Sequence, residues 1–246
     1  MFEAPKFVSS SINIIFDRQR EIRKKQFDFE EILKGRYAVP AQVISVPDDL
    51  DPQIPRVLFT SEHGFSQVAI SQINMALNVR YSDEWQKDII KNGSPYLKER
   101  VPILFELLHT VNTDIKPNFC GCTLTAKLQF KKSDDDLIKI ISKKYCNIPE
   151  KEKLYDISTK ISKRMGEDFF SNITVANYRT WKIQKVAGVV KFKVGDAIER
   201  GLELTVDYND RQSFNNKDSY SSSAETLNKI VESAIGELIT EIKSIQ

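Results

Sequence analysis

Apolar and polar residues alternate along several stretches of the chain, and a period of two is typical of β-strands with one buried face. Near the start, Ile12, Ile14 and Phe16 share one side of such a stretch. The segment PRVLFTSEHGFSQVAISQINMALNVRYS (55–82) contains three more runs of this kind, separated by polar breaks. The first break holds His63 followed by a glycine, which supplies the positive φ that a hairpin tip commonly needs. The segment therefore predicts an antiparallel meander with His63 at a solvated turn.

Apolar residues spaced three and four positions apart predict the helices of the first half. Asp28 and Glu31 have the spacing of a helix start, and Gly35 is a suitable stop, so a short helix is expected between them. Ser94 followed by Pro95 is a favourable opening for a longer helix. The apolar stripe of that longer helix consists of Leu97, Val101, Leu104, Leu108 and Val111.

The second half presents the same order of patterns. The strand GCTLTAKLQFKK is followed by Ser133 and three aspartates, and acidic side chains favour the positive end of a helix dipole. Ser222 and Glu225, in capping-box spacing, predict the start of an amphipathic last helix. The polar stretch before it, Asn209–Ser223, predicts a mobile loop. Between the two helices the predicted strands are YDISTKISKRM, ITVANYRTWKI, VAGVVKFKVG and LELTVDYN.

Each half thus consists of a strand, a helix, an antiparallel meander and a long helix. This pattern predicts the α+β class, with tandem units 1–114 and 115–246 packed together as one compact unit. The expected architecture is a curved antiparallel sheet with the helices on one face. The order of elements resembles a duplicated TATA-binding-protein-like helix-grip fold. The likeness concerns topology and carries no function with it.

The motif PRVLFTSEHGFSQVAISQINMALNV also resembles a region of a widespread bacterial family with no assigned function, whose members are close to this chain in length. The opening EAPKFVSSSINIIF and the segment QVISVPDD are similar to the same family. The resemblance implies a non-secreted bacterial protein, and it supplies no catalytic residue.

Composition narrows the class of protein. With 41% hydrophobic and 28% charged residues, the chain is ordinary for a globular protein. Apolar runs stay below the length of a membrane span, and the start lacks the basic and apolar regions of a secretory signal. The three cysteines, an odd number, do not suggest a disulfide framework, so a cytoplasmic protein is expected.

Few residues suggest catalysis or a cofactor. The nine glycines are scattered, and neither GxxxxGK nor GxGxxG is present, so no cofactor is predicted. His109 lies beside the apolar stripe of the long helix and is expected to be buried or half-buried with a structural role. Cys120, Cys122 and Cys146 are expected to be structural thiols, since a zinc site needs three or four suitable ligands. No metal site and no catalytic residue is therefore assigned.

Carboxylates leave one enzymatic alternative open. Asp48, Asp49 and Asp51 lie among prolines, and Asp134–Asp136 open a helix. Such groups can hold Mg²⁺ in a metal-dependent hydrolase or nuclease. Turns and helix starts select aspartate for their own reasons, so the structural interpretation is preferred.

Basic residues on predicted strands give a hint of nucleic-acid binding. In the second half, lysines alternate with apolar residues, and an aromatic residue lies near them. If they share a sheet face, they could follow a phosphate backbone while a tryptophan stacks on a base. The candidate residues are Lys127, Lys131, Arg179, Trp181, Lys182, Lys191 and Lys193. Acidic residues in the next strand, among them Glu203 and Asp207, favour an ordinary solvated face instead.

The sequence favours a non-enzymatic binding or scaffold protein that acts through protein–protein contacts. A protein partner or self-association is expected, nucleic-acid binding is the first alternative, and the metal-dependent enzyme is the second. Trp85, in a short polar segment, is expected to pack at the end of the meander, and the other interpretation is an exposed anchor for a protein partner.

Overall fold

The computed structural model describes residues 1–149, 154–182 and 192–246. The described residues contain nine strands and five α-helices, which confirms the α+β class. The strands are β1 (Lys6–Phe16), β2 (Gln42–Val43), β3 (Val57–Thr60), β4 (Ser66–Ile70), β5 (Asn74–Arg80), β6 (Pro117–Gln129), β7 (Ser158–Met165), β8 (Phe169–Thr180) and β9 (Glu199–Asn209). The helices are α1 (Gln26–Leu33), α2 (Ser94–Val111), α3 (Asp134–Ile141), α4 (Arg211–Asn216) and α5 (Ala224–Ile245).

All nine strands form one curved, unclosed antiparallel sheet in the order β2-β3-β4-β5-β1-β6-β9-β8-β7. The first strands of the two halves, β1 and β6, pair at its centre, with Ile12 opposite Cys122. Each is flanked on its other side by the last strand of its own half, β5 or β9. The predicted division at 114/115 falls between α2 and β6, and an origin of the halves by duplication stays a prediction.

One face of the sheet is buried under α2, α3 and α5, as the alternating patterns predict. Along β6, Cys120, Cys122, Leu124 and Ala126 point into the core, while the residues between them are half-buried on the other face. Leu227 and six further apolar residues of α5 are buried against this face. Burying a side chain of this size contributes roughly 1.5–3 kcal/mol, so the common core of the two halves holds these three helices on one side.

The first-half helices begin at other residues than the sequence predicts. The N-cap of α1 is Lys25, so Asp28 lies inside the first turn, whereas Gly35, with φ +78°, follows the end of the helix as predicted. A π-helical turn, Ile89–Gly93, precedes α2, and the Asp88 side chain accepts the backbone N–H groups of its first turn. Helical structure therefore begins one turn before Ser94, since Asp88 supplies the cap.

In the second half, the Ser133 hydroxyl accepts the Asp136 N–H at 3.2 Å, which confirms the predicted start of α3. The N-cap of α5 is Ser223 rather than Ser222, because Ser223 accepts the Thr226 N–H at 3.1 Å. The stretch Asn209–Ser223, predicted to be a mobile loop, contains α4 and the buried, hydrogen-bonded Asp210. The strand predicted over 186–195 lies largely outside the described residues, and its described end forms the 3-10 turn Val194–Asp196.

Candidate functional site

The sheet face opposite α2, α3 and α5, called the open face below, carries a continuous line of polar side chains. The strand register places eight residues, one from each of eight adjacent strands, directly opposite their neighbours. Each has a hydroxyl, amide or carboxyl group, and the set is called the polar row. From one sheet edge towards the other, the polar row is Thr60, Gln67, Asn78, Ser11, Thr123, Asp207, Asn172 and Ser162.

A hollow of about 540 Å³ lies on the open face between β1 and β7 and includes the last three members of the polar row. Phe119 and Phe170 contribute aromatic rings to its lining. Lys160 of β7 and Arg211 of α4 contribute cations, and the Arg211 guanidinium lies 5.5 Å from the centre of the Phe119 ring. The hollow therefore offers apolar ring surface, cationic donors and neutral polar groups together.

Hydrogen bonds fix the orientation of the carboxylate in the hollow. The Ser162 hydroxyl donates to Asn172 Oδ1 at 2.7 Å, and Asn172 Nδ2 donates to Asp207 Oδ2 at 2.9 Å. Asn209 Nδ2 donates to the same Asp207 oxygen at 3.2 Å. Both amide donors bind Oδ2, so Oδ1 retains its acceptor capacity.

Gly121 keeps the surface beside this carboxylate low. A Cβ atom at residue 121 would lie 3.3 Å from the Asn209 Cβ and 3.7 Å from Asp207 Oδ1. The first distance is tighter than an ordinary van der Waals contact, so a larger residue would push the Asn209 side chain away. Glycine in a strand interior often marks such a close approach.

Of the predicted nucleic-acid-binding residues, Lys127 lies on the open face. Its ammonium is 3.6 Å from the Glu203 carboxylate on β9 and 4.7 Å from the centre of the Tyr178 ring on β8. Lys131, beyond the end of β6, is 3.2 Å from the Glu3 carboxylate. Both lysines thus have acidic neighbours within ion-pairing distance, which reduces the positive potential that they offer to a polyanion.

Arg179 lies on the other face, with the helices, and the expectation that it shares a face with Lys127 is wrong. Its side chain is 4% exposed and donates to Asp134 at 3.0 Å and Asp156 at 2.6 Å. Its guanidinium also lies over the Tyr155 ring. Hydrogen bonds from Asn177 and Arg179 hold the pKa of Asp156 below its usual range. Arg179 therefore fastens the start of α3 and the approach to β7 onto β8.

The remaining candidate residues lie beyond the end of β8. The Trp181 indole donates to the Lys193 carbonyl at 2.8 Å, and its ring packs against Phe192 at 5.2 Å between centroids. Lys182 and Lys193 are exposed. Lys191 lies outside the described residues. The structure therefore does not bring the predicted set together on one face.

The two histidines and the two β6 cysteines considered for catalysis lie in environments typical of residues without a catalytic role. His63 is exposed at the tip between β3 and β4, which confirms the predicted hairpin. His109 is exposed, so the expectation of a buried or half-buried histidine is wrong; it lies just outside the buried stripe of α2. Burial raises the pKa of Cys122 to about 12, and the Asp207 carboxylate adds to that rise. Burial likewise raises the pKa of Cys120, so both thiols are protonated at neutral pH.

Within the described residues, no three His, Cys, Asp or Glu side chains are placed to hold a metal ion. Asp134 and Asp136, considered above as Mg²⁺ ligands, have other partners. Asp134 pairs with Arg179, and Asp136 accepts the Ser133 hydroxyl at 2.8 Å. Asp48 accepts hydrogen bonds from Arg23 and Gln72.

An aromatic patch marks the start of α2, at the end of the first-half meander. Trp85 is 38% exposed and meets the Tyr96 ring edge to face at 5.8 Å between centroids. The Arg100 guanidinium lies 4.5 Å from the centre of the same ring, and the Tyr96 hydroxyl donates to Ser66 at 2.8 Å. Trp85, Tyr96 and Arg100 form the aromatic patch.

Compared with known proteins, the chain matches no family model, and no curated protein matches it. In the part of the chain that the structure describes, none of the helices has the length and apolar character to cross a membrane.

Proposed function

We propose that this protein is a non-enzymatic binding or scaffold protein that acts through protein–protein contacts. The proposal is based on the aromatic patch, where an exposed tryptophan packs against a tyrosine whose ring is in turn contacted by an arginine. Tryptophan, tyrosine and arginine are the residues most enriched at the energetic centres of protein interfaces.

The packing of the aromatic patch supports this role. Because Tyr96 is held by Arg100 on its ring and by Ser66 at its hydroxyl, Trp85 rests against a fixed support. A preorganised anchor loses less conformational freedom on binding than a mobile side chain. Trp85 itself keeps 38% of its surface exposed, and exposed aromatic surface favours an interaction surface.

The experiment compares Trp85→Ala with Phe27→Ala, since Phe27 on α1 is also an exposed aromatic residue, at 77%. Tagged wild-type protein and both variants capture partners from lysate of the native host, and partners are identified by mass spectrometry. The partner is then purified, and its affinity is measured by calorimetry. We expect Trp85→Ala to weaken binding by about 30-fold, which corresponds to a hot-spot loss of about 2 kcal/mol, and Phe27→Ala to bind as wild type. Equal affinity of Trp85→Ala and wild type would refute the aromatic patch as the anchor.

Nucleic-acid binding is the alternative proposal, supported by cations on the open face. The register places Arg80, Lys160 and Arg164 on that face together with Lys127. Binding to random DNA and RNA by fluorescence anisotropy over a salt series tests it. Affinity that falls steeply with salt supports a phosphate-binding face, and salt-insensitive or absent binding removes the alternative.

A metal-dependent hydrolase or nuclease with a carboxylate site stays the second alternative. The structural partners of the aspartates considered above favour binding over hydrolysis. We also propose that the protein works in the cytoplasm of a bacterial cell, in keeping with its resemblance to the bacterial family described above. Fractionation of the host followed by immunoblotting tests that location.

A further inference from the structure

The polar row has a spacing that suggests a polymeric ligand. Adjacent strands in a sheet lie about 4.8 Å apart, so a chain lying across the strands meets one row residue at each such interval. Pyranose units in an extended β-linked glycan repeat at nearly the same interval. Seven intervals between the eight row residues span about 34 Å, enough for six or so sugar units.

The chemistry of the polar row suits hydroxyl groups. Thr123, Ser11 and Asn78 can each donate and accept hydrogen bonds, as sugar hydroxyls do. The Asp207 carboxylate, oriented by Asn172 and Asn209, is a strong acceptor for a hydroxyl donor. Seven of the eight row residues have neutral hydroxyl or amide side chains, so the row suits a neutral chain.

The hollow adds apolar surface where a sugar ring needs it. Pyranose rings present C–H groups on their faces, and Phe119 and Phe170 line the hollow beside the hydrogen-bonded carboxylate. Lys160 and Arg211 are placed to donate to ring or hydroxyl oxygens from the rim. A volume of about 540 Å³ lies within the range of small-ligand sites and accommodates one or two sugar units.

Other polymers fit the polar row less well. A nucleic acid needs a line of cations, because its phosphates dominate its affinity, and the polar row contains a carboxylate instead. A protein partner needs buried aromatic or apolar anchors, and the side chains of the polar row are small and polar. An added peptide strand pairs at a sheet edge rather than across a sheet face.

The geometry points to the polar row and the hollow as a binding site for a neutral, β-linked oligosaccharide chain that lies across the strands with one end in the hollow. This site is on the open face and does not depend on the aromatic patch or on a protein partner.

The experiment titrates wild-type protein with neutral β-linked hexasaccharides of glucose, xylose and mannose, and with the matching disaccharides, by calorimetry and NMR. A β-linked hexamannuronate serves as the polyanionic arm, since it has the same type of linkage and one carboxylate on each unit. We expect at least one neutral hexasaccharide to bind, about tenfold or more tighter than its disaccharide, since more units reach the polar row. Binding that is absent for every neutral chain, or that is as tight for the disaccharide, overturns the proposal. Tighter binding of the hexamannuronate than of the neutral chains also overturns it.

Two matched variants locate the site. Thr123→Arg places a large cation in the middle of the polar row, and Thr240→Arg makes the same change at an exposed position of α5 on the other side of the sheet. We expect Thr123→Arg to weaken the hexasaccharide about tenfold or more, and Thr240→Arg to bind as wild type. Circular dichroism and melting temperature establish that both variants are folded.

Asn172→Ala, which frees one side of the Asp207 carboxylate without adding bulk, is expected to weaken binding as well. Unchanged hexasaccharide binding by Thr123→Arg and Asn172→Ala refutes the assignment, whereas Trp85→Ala leaves it intact and thereby separates this site from the protein-binding proposal.

Discussion

Arg56 in the first half and Asp210 in the second are both charged side chains with 0% exposure, yet the two halves accommodate them differently. Arg56 lies just before β3, where the proline-containing segment 39–55 joins the sheet. Asp210 lies just after β9, where the chain leaves the sheet for α5. Each of these two side chains fixes an irregular connection, one through a guanidinium and the other through a carboxyl group.

The guanidinium of Arg56 is held mainly by backbone carbonyls of the connection. It donates to the Ile54 carbonyl at 2.5 Å and to those of Pro47 and Asp51 at 3.5 and 3.4 Å. Its Nε is 3.8 Å from the half-exposed Asp48 carboxylate. Two of these contacts are long, so the stabilisation is spread over several weak interactions.

The carboxylate of Asp210 has three short hydrogen bonds from converging donors. Its Oδ1 accepts the Cys120 N–H at 2.6 Å, and its Oδ2 accepts the hydroxyls of Tyr220 at 2.7 Å and Ser222 at 2.5 Å. These donors come from β6 and from the segment that leads into α5. The second-half connection is therefore stabilised mainly by one residue, whereas the stabilisation of the first-half connection is divided among several contacts.

Asp210→Ala is expected to have the largest effect on stability. It leaves three donors, two of them buried, without their acceptor, and each unsatisfied buried group costs roughly 1–3 kcal/mol, so we expect a loss of about 4 kcal/mol. Urea unfolding followed by circular dichroism measures it. Asp218→Ala, at an exposed position of the same segment, is the control and is expected to change stability by less than about 0.5 kcal/mol. Similar losses for the two variants would contradict the role of Asp210.

Arg56→Met is expected to cost less, about 2–3 kcal/mol, because methionine keeps most of the buried volume and removes the buried charge. The Asp48 region also keeps other contacts, including Arg23 to its carboxylate at 2.9 Å and Gln72 to its carbonyl at 3.1 Å. Urea unfolding measures the loss, with Arg36→Met at an exposed position as the control. A loss larger than that of Asp210→Ala would reverse the comparison between the halves.

Local patterns predicted the elements of the fold, since burial of one face imposes a period on each strand and helix. The strand with Ile12 and the stripe of α2 follow this rule. The predicted N-cap of α5 was wrong because a distant residue binds the side chain of the predicted cap. Ser222 has the capping-box spacing, but Asp210, twelve positions earlier, accepts its hydroxyl, so Ser223 caps α5.

The alternation of side chains along β8 also indicates which candidate residues share a face of the sheet. Arg179 has the same parity as Ile173 and Val175, which are buried under the helices, whereas Tyr178 points to the open face with Lys127. The polar row was beyond sequence reasoning because it depends on the register of eight strands. A shift of one residue in any pair moves a side chain to the other face.

High pH is expected to act on the two halves in turn. Burial raises the pKa of Cys122 to about 12 from an ordinary value of 9.0, and that of Tyr37 to about 12 from 10.0. Each group favours its neutral form when folded, so its stabilisation is complete below the unfolded pKa and is lost as pH rises towards the folded pKa. Loss therefore begins near pH 9 for Cys122 and near pH 10 for Tyr37. By pH 11 we expect the loss to reach about 3 kcal/mol for Cys122 and about 1 kcal/mol for Tyr37.

Urea unfolding of wild type, Cys122→Ala and Tyr37→Phe at pH 8, 9, 10 and 11 measures these contributions. Each variant is expected to lose less stability than wild type over its own range, starting one pH unit earlier for Cys122→Ala. If both variants keep the wild-type slope, burial of these two groups does not control the alkaline response.

The smallest effect is expected for Lys127→Ala, which removes an ion pair on the open face rather than a buried charge. The Lys127 and Glu203 side chains are 32% and 41% exposed, and exposed pairs contribute about 0–1 kcal/mol. A double-mutant cycle with Glu203→Ala is expected to give a coupling energy below about 0.5 kcal/mol, reduced further by salt. The same cycle on Arg179 and Asp134, 4% and 7% exposed, is expected to give a larger coupling that salt changes little. Because removal of Lys127 is expected to cost so little, the open face can lose this cation without a loss of fold. A coupling at Lys127 equal to that at Arg179 would instead make this pair part of the structural core.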